Sequence, residues 1–307
     1  MIRTIVLLIA TLIVIPIASF YFGSPLTGLQ IHSLQVAVRI MLATALICFV
    51  VSELTKNCSQ VDKLWSIMPI VYTWYFASVA QWNIRAVLMA ILVTCWGARL
   101  TFNFYRKGGY HRMPWKGDED YRWNILRQNP VLKGRWRWAM FNLLFISLYQ
   151  QCLILLFTLP ALLADNGNHK TINLLDIIAA CLFIFFLVIE TIADEQQYKF
   201  QTEKYRRIAV NEPLAEPYSN GFLSSGLWRF VRHPNYAGEQ AIWISFYLFS
   251  VAATGQWMNW SMAGCTLLIL LFLGSSNFSE EISAKKYHGY KQYQKQVPRF
   301  FPKWRYK

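Results

Sequence analysis

Charge is scarce in this sequence: Asp, Glu, Lys and Arg together make up 15% of 307 residues, against 55% hydrophobic residues. A soluble enzyme spends about a quarter of its residues on charge, so the composition excludes one and points to a membrane protein. Acids are scarcer still, 16 against 30 Lys and Arg. The six cysteines, Cys48, Cys58, Cys95, Cys152, Cys181 and Cys265, form no C-x-x-C pair and have no histidine neighbour at zinc spacing. Neither a disulfide framework nor a metal site is indicated. G-x-G-x-x-G, G-x-x-x-x-G-K, H-E-x-x-H and a serine nucleophile elbow are all missing. A dinucleotide, if bound, is not held by a Rossmann turn or a P-loop, and chemistry would belong to a bound cofactor with acids and arginines around it.

The hydrophobic residues gather into runs. A hydrocarbon core of about 30 Å takes roughly 20 apolar helical residues. Eight stretches meet or approach that length: 5–22, 34–52, 64–80, 84–104, 138–164, 172–194, 236–254 and 258–277. They lack the alternation of barrel strands, and in lipid only a helix satisfies its own backbone. The expected fold is all-α, a polytopic transmembrane bundle of seven or eight spans. The run from Ile5 to Phe22 is long for a signal peptide and no small-x-small cleavage site follows it, so it reads as a retained first span.

The basic residues test that count independently. With eight crossings, 26 Lys and Arg fall on one side: Arg3, two in 53–63, nine in 105–137, six in 195–235 and eight in 278–307. The other side keeps only Arg85 and Lys170, while Arg39 and Arg99 sit within spans. The positive-inside bias then makes both termini and the basic loops cytoplasmic, in a bacterial inner membrane or an endoplasmic reticulum membrane alike. Attraction to anionic headgroups accounts for most of these charges. They are split among segments between spans and carry no nucleic-acid-binding motif, which argues against nucleic acid as a partner.

Ionisable groups in or beside spans are costly and mark functional candidates; here they are Arg39, Asp62, Arg99, Asp176, Glu190, Asp194 and Glu239. Arg39 and Asp176 have no partner at helical spacing and read as structural, Asp176 as a first-turn acid that suits the helix dipole. Arg99, Asn103 and Arg106 share one helix face; snorkelling at the membrane edge explains Arg106 better than it explains the other two. Glu190, Asp194, Gln197 and Gln201 share another. Two carboxylates four apart repel, so a cation, a ribose hydroxyl or a raised pKa should compensate. The densest pattern runs from Gly226 to Glu239, G-L-W-R-F-V-R-H-P-N-Y-A-G-E. Arg229, Arg232 and His233 precede a proline suited to a first helical turn, so they collect at a helix N-terminus, a place that binds phosphate. The tail, with Glu280-Glu281, Lys285-Lys286-Tyr287, Tyr290, Tyr293 and Phe300-Phe301-Pro302, reads either as a surface helix or as the closure of a cofactor pocket.

From Glu190 to Pro302, E-x-x-x-D-x-x-Q, G-L-W-R-x-x-R-H-P-N-Y-x-G-E, E-E and Y-x-x-Y-x-x-x-x-x-R-F-F-P resemble the C-terminal region of the steroid 5-alpha-reductase superfamily, closest to its bacterial branch. Val61-Asp62-x-x-Trp65, Arg99-x-x-x-Asn103 and Asp118 to Arg122 extend the likeness over roughly residues 55–302. Residues 1–54 lie outside the likeness, and their apolar runs read as N-terminal transmembrane helices. The resemblance implies a reductase-like membrane domain over 55–302, whose half from 190 to 302 holds NADPH and delivers hydride to the carbon–carbon double bond of a lipid-like enone. It places Glu190 and Asp194 on the adenosine or ribose side and Asn235 on the nicotinamide carboxamide. Arg99, Arg229, Arg232 and His233 would meet the phosphates, and Asn103, Tyr236, Glu239, Glu281 and Tyr287 would complete the cofactor site, without a metal. Asp62 would hydrogen-bond the substrate carbonyl, and membrane lipids would surround the whole.

The likeness has one departure at the reacting centre. Trp96 stands three residues before Arg99, where the reductases carry a tyrosine, and an indole stacks but does not protonate an enolate. Tyr72, Tyr75 and Tyr105 are the available substitutes. R-H-P-x-Y-x-G also occurs in sterol double-bond reductases and in isoprenylcysteine-type methyltransferases. The alternatives are therefore S-adenosylmethionine-dependent methyl transfer and a non-catalytic membrane protein of the same fold; Asp62 and Arg99 favour the reductases.

Overall fold

The computed structural model describes residues 25–302 except 114, 115 and 165–170, together with Val14, Ile17 and Tyr21. The first expected span, 5–22, lies almost wholly outside the described residues. Among the described residues all regular structure is helical. Helix α1, Gly28–Thr55, opens on a capping box in which Thr27 Oγ1 accepts from the Gln30 N–H at 3.2 Å and Gln30 Oε1 from the Thr27 N–H at 3.0 Å. There follow α2, Gln60–Trp65, α3, Met68–Val79, α4, Ile84–Tyr105, and α5, Tyr121–Arg127. Helix α6, Arg135–Leu163, is continuous but widens into a π-helical stretch at Asn142–Tyr149 and tightens to a 3-10 turn at Leu159–Leu163. The rest are α7, Leu174–Ala209, α8, Pro234–Thr254, α9, Met262–Lys286, and α10, Tyr290–Gln296.

Five of these, α1, α4, α6, α7 and α9, are long and apolar enough to cross a membrane. The expected span at 64–80 is a helix of only 12 residues, about 18 Å at 1.5 Å per residue, because Pro69 marks its first turn. Helix α8 has 21 residues but carries Asn235, Glu239 and Gln240 in its first two turns. Helix α7 runs 36 residues, about 54 Å, well beyond a hydrocarbon core. Hydropathy ends near Asp194, yet Glu195-Gln196-Gln197-Tyr198-Lys199 are good helix formers, so the helix continues.

The chain divides into two compact units, residues 1–179 with 246–267 and residues 180–245 with 268–307. In the first, α1, α3 and α6 pack on one another and α3 packs on α4. A Cβ on Gly264 would stand 2.2 Å from the Leu156 carbonyl, so only glycine permits the approach of α9 to α6. Asp176 is not the partnerless dipole acid that helical spacing suggests. Its carboxylate accepts from Arg85 Nε at 2.7 Å and Nη2 at 2.8 Å, with both side chains fully buried. Arg85 also donates to the carbonyls of Thr171, at 2.9 Å, and Ala164, at 3.3 Å. The partner is 91 residues away, out of reach of any local pattern.

The basic segment after α4 is tied down. Glu119 accepts from both Arg127 terminal nitrogens, at 2.6 and 2.8 Å, and from the Cys58 N–H at 2.6 Å. Ser59 Oγ accepts from the Asp120 N–H at 2.9 Å, and Lys63 Nζ donates to the Lys116 carbonyl at 2.7 Å.

Candidate functional site

In the second unit, α7 and α8 approach closely at Gly238, where a Cβ would lie 2.9 Å from Glu190 Cβ and 3.3 Å from its Cα. That approach brings the α7 carboxylates to the start of α8. Glu190 and Asp194 are buried, and Asn235 Nδ2 donates to Asp194 Oδ1 at 3.3 Å. Asn235 Oδ1 and Gln197 Oε1 are buried with no hydrogen-bond partner. Two carboxylates and two amides thus gather on the α7 face and the first turn of α8, a set rich in acceptors. Gln196, next to Gln197 in the chain, holds the backbone instead: its Oε1 accepts from the Leu227 N–H at 2.9 Å, against Gly226 at φ +61.

Arg232 and His233 stand immediately before α8, as the proline predicts, but their partners are protein groups. Arg232 donates Nε to Glu280 Oε1 at 2.8 Å and Nη2 to Glu280 Oε2 at 3.1 Å, while Nη1 serves the carbonyls of Gln294, at 3.0 Å, and Val297. His233 Nε2 donates to Glu280 Oε1 at 2.8 Å, and Gln294 Nε2 to Oε2 at 2.8 Å. The backbone N–H groups of Arg232 and His233 donate to Pro298 and Arg299 carbonyls at 2.9 and 3.1 Å. Four of the five guanidinium donors are therefore occupied, and the pair fastens the tail rather than presenting a free phosphate cradle. Glu280, at 3% exposed, is the buried member of the acidic pair; Glu281, the residue that the resemblance assigns to the cofactor site, is exposed.

The tail is packed rather than lying loose as a surface helix. Tyr290 and Tyr293 are buried, and the Tyr293 hydroxyl donates to the Trp228 carbonyl. Burial pushes the Tyr290 hydroxyl up to about 12. Tyr287 packs on Gly221 and lies with Phe222, ring centroids 5.9 Å apart. Tyr236 stacks on His233 at 5.2 Å and meets Phe272 at 4.8 Å. Glu239 Oε1 accepts from Trp243 Nε1 at 2.9 Å within α8, and Arg229 is exposed. A groove of about 600 Å³ lies beside the lower part of α7, lined by Phe200, Tyr218, Leu223, Ser225 and Gly226; Glu190, Asp194 and Asn235 are not among its walls.

The first unit holds Asp62, Trp96, Arg99 and Asn103. Trp96 is fully buried in α4, and Asn103 Oδ1 accepts from Arg106 Nε at 3.0 Å, as their shared face predicts. Asp62 Oδ2 accepts from Trp123 Nε1 at 3.1 Å. Burial raises the Asp62 carboxyl above its ordinary range, and the nearby Arg122 only partly offsets this. Burial also works against Asp120, but the Arg122 guanidinium at 2.8 Å outweighs it and holds that carboxyl low. Sequence patterns assign no role to Glu280 alone, Gln196, Trp123 or the Glu119–Arg127 pair; the E-E and D-E-D-Y-R runs are the signals that lie nearest to them.

The described residues are thus all-helical, with five helices long and apolar enough to span a membrane, consistent with an integral membrane protein, and with buried carboxylates between helices. Residues 48–297 match the family described as "Protein of unknown function (DUF1295)", and the chain belongs to that family. It is also 39% identical over 264 residues to "Uncharacterized protein C594.04c" of Schizosaccharomyces pombe, covering 82% of this chain and 75% of that protein. No solved structure matches.

Proposed function

We propose that this chain is a membrane-embedded reductase that uses NADPH to reduce the carbon–carbon double bond of a lipid-like enone, as the likeness to the steroid 5-alpha-reductase superfamily implies. The observation that carries the reading is the acceptor cluster of Glu190, Asp194, Gln197 and Asn235, in which two amide oxygens are buried without a donor. Ribose hydroxyls and a nicotinamide carboxamide are donors of the kind such a cluster requires. NADPH, when bound, would supply the hydride. Glu190, Asp194 and Asn235 would hold its sugar and amide groups, and Arg232 would act by fixing the chain before α8. Asp62, with its carboxyl raised by burial, would donate a hydrogen bond to a carbonyl when protonated. On this reading the termini and basic loops are cytoplasmic.

One observation favours a second reading. Arg232 and His233 are engaged by Glu280, which leaves the cluster short of phosphate-binding charge, and S-adenosylmethionine presents a ribose diol without phosphates. Titration of the detergent-purified protein with NADPH, NADH and S-adenosylmethionine, followed by thermal unfolding, separates the two. Selective binding at 100 times Kd stabilises by about 2.7 kcal/mol. NADPH should raise the melting temperature of wild type and not of Asp194→Ala. A response to S-adenosylmethionine alone would transfer the assignment to methyl transfer, and no response to any of the three would remove the cofactor claim.

A further inference from the structure

The acceptor cluster on α7 is short of phosphate-binding charge, and the same face of that helix carries a lysine further along. Glu190, Asp194, Gln197, Gln201 and Lys204 follow one another at spacings of four and three, one stripe of a helix. Lys204 stands ten residues beyond Asp194, about 15 Å at 1.5 Å per residue, and therefore past the apolar part of α7. It is only 4% exposed, a rare state for a lysine unless it is paired.

Its surroundings hold the ammonium without neutralising it. Nζ donates to the Gly221 carbonyl at 2.9 Å, and the rings of Phe200, Tyr205 and Tyr287 lie 5.7, 4.7 and 5.6 Å away, within cation–π range. The charge that acts on it is another lysine, Lys286, whose own Nζ stands 5.4 Å from the same Tyr287 ring. Two like charges so placed disfavour each other. Nearby acids are engaged elsewhere, Glu195 with Lys199, Glu203 with Arg206 and Arg207, and Glu280 with Arg232. Glu281 is exposed, and among the described residues neither lysine has a carboxylate ion pair.

The backbone is shaped to keep this arrangement. Gly221 has φ +79, and a Cβ there would stand 2.4 Å from the Tyr287 ring, so only glycine lets the turn put its carbonyl on Lys204 while the ring closes on its α-carbon. One side stays open to water, since Lys286 is exposed and Tyr287 half-buried. Two ammoniums call for two negative charges, which a terminal phosphate carries and a carboxylate does not.

We propose that Lys204 and Lys286, beside the Tyr287 ring, form a binding site for a terminal phosphate group. The site supplies the charge that Arg232 and His233 give to Glu280. It rests on the reductase reading only in identifying that phosphate as the cofactor's; a phosphatidic acid headgroup offers the same chemistry.

The test uses detergent-purified wild type, Lys286→Gln, Lys204→Met and, as control, Lys285→Gln, melted in inorganic phosphate and in chloride at matched ionic strength. Phosphate should raise the melting temperature of wild type and Lys285→Gln by about 2 °C more than that of Lys286→Gln or Lys204→Met; its general exclusion from protein surfaces acts on all four alike. Acylation of Lys286, followed by mass spectrometry, should fall about threefold in phosphate while that of Lys285 does not. An equal shift in Lys286→Gln, or unchanged acylation, would overturn the proposal even where Lys204→Met fails to fold. A tenfold loss of NADPH affinity in Lys286→Gln, with NADH unaffected, assigns the phosphate to the cofactor. A loss confined to phosphatidic acid retained in lipid discs assigns it to a headgroup. Wild type that binds neither nucleotide removes the reductase reading, and the phosphate and acylation results still decide the site.

Discussion

Replacing Glu280 with glutamine should release the C-terminal tail. The carboxylate accepts four hydrogen bonds, from Arg232 Nε and Nη2, His233 Nε2 and Gln294 Nε2, at 2.8, 3.1, 2.8 and 2.8 Å, and Arg299 stands 3.6 Å away. Glutamine keeps one acceptor oxygen and turns an NH₂ group on donors that already point inward. A hydrogen bond to a charged group contributes about 1.5–3 kcal/mol against about 0.5–1.5 for a neutral one, and breaking a buried pair by removing one partner costs about 3–5 kcal/mol. The expected loss is about 3–5 kcal/mol, felt first where Arg232 holds the Gln294 and Val297 carbonyls. Limited trypsin digestion reads this as faster cleavage at Lys291, Lys295 and Arg299, alongside a lower melting temperature. The exposed neighbour supplies the control, because Glu281→Gln should stay within about 0.5 kcal/mol of wild type. If the two variants melt alike and their tails are cut at the same rate, Glu280 does not hold the tail and the latch is refuted.

Gly238→Ala should cost about 1–3 kcal/mol by overpacking, since its Cβ meets Glu190 at 2.9 Å; unchanged melting would show that α7 and α8 yield freely there. Arg85→Met and Asp176→Leu should each cost about 3–5 kcal/mol, and the double variant less than either, because a buried pair replaced whole loses no partner; additive losses in a double-mutant cycle would contradict the pairing. Asp62 has a folded pKa raised above 3.8, so the stability it contributes is complete below that pH and is lost as pH rises through the raised value. Asp62→Asn should therefore gain on wild type in melting temperature as pH rises from about 4, and parallel curves would refute the shift.

Hydropathy locates α1, α4, α6, α7 and α9 because each carries a long apolar stretch, and Pro234 places the start of α8. It misses where α7 stops, since helix propensity continues after apolarity ends. It overestimates α3, since a proline limits the helix within an apolar run. At the site, the spacing of Glu190 and Asp194 predicts a shared face that the structure bears out. The partner of Arg232 lies 48 residues on, and nothing in the spacing of Glu280-Glu281 says which of two adjacent acids turns inward. Asp176 shows the same limit: local periodicity carries information about one helix, whereas ion pairs between helices depend on how the helices meet.

That pairing also constrains the order in which the chain is made. Arg85 opens α4, while Asp176 and the Thr171 and Ala164 carbonyls that share its guanidinium are all encoded downstream. At about 5–20 residues per second, the counter-ion emerges roughly 5–20 s after the arginine. If α4 inserts before its partner exists, the arginine should spend that interval hydrated at the membrane surface, and α4 should reach its final place only once α7 begins. The pairing therefore predicts that a ribosome halted between the two codons leaves α4 displaced toward the surface that hydrates Arg85.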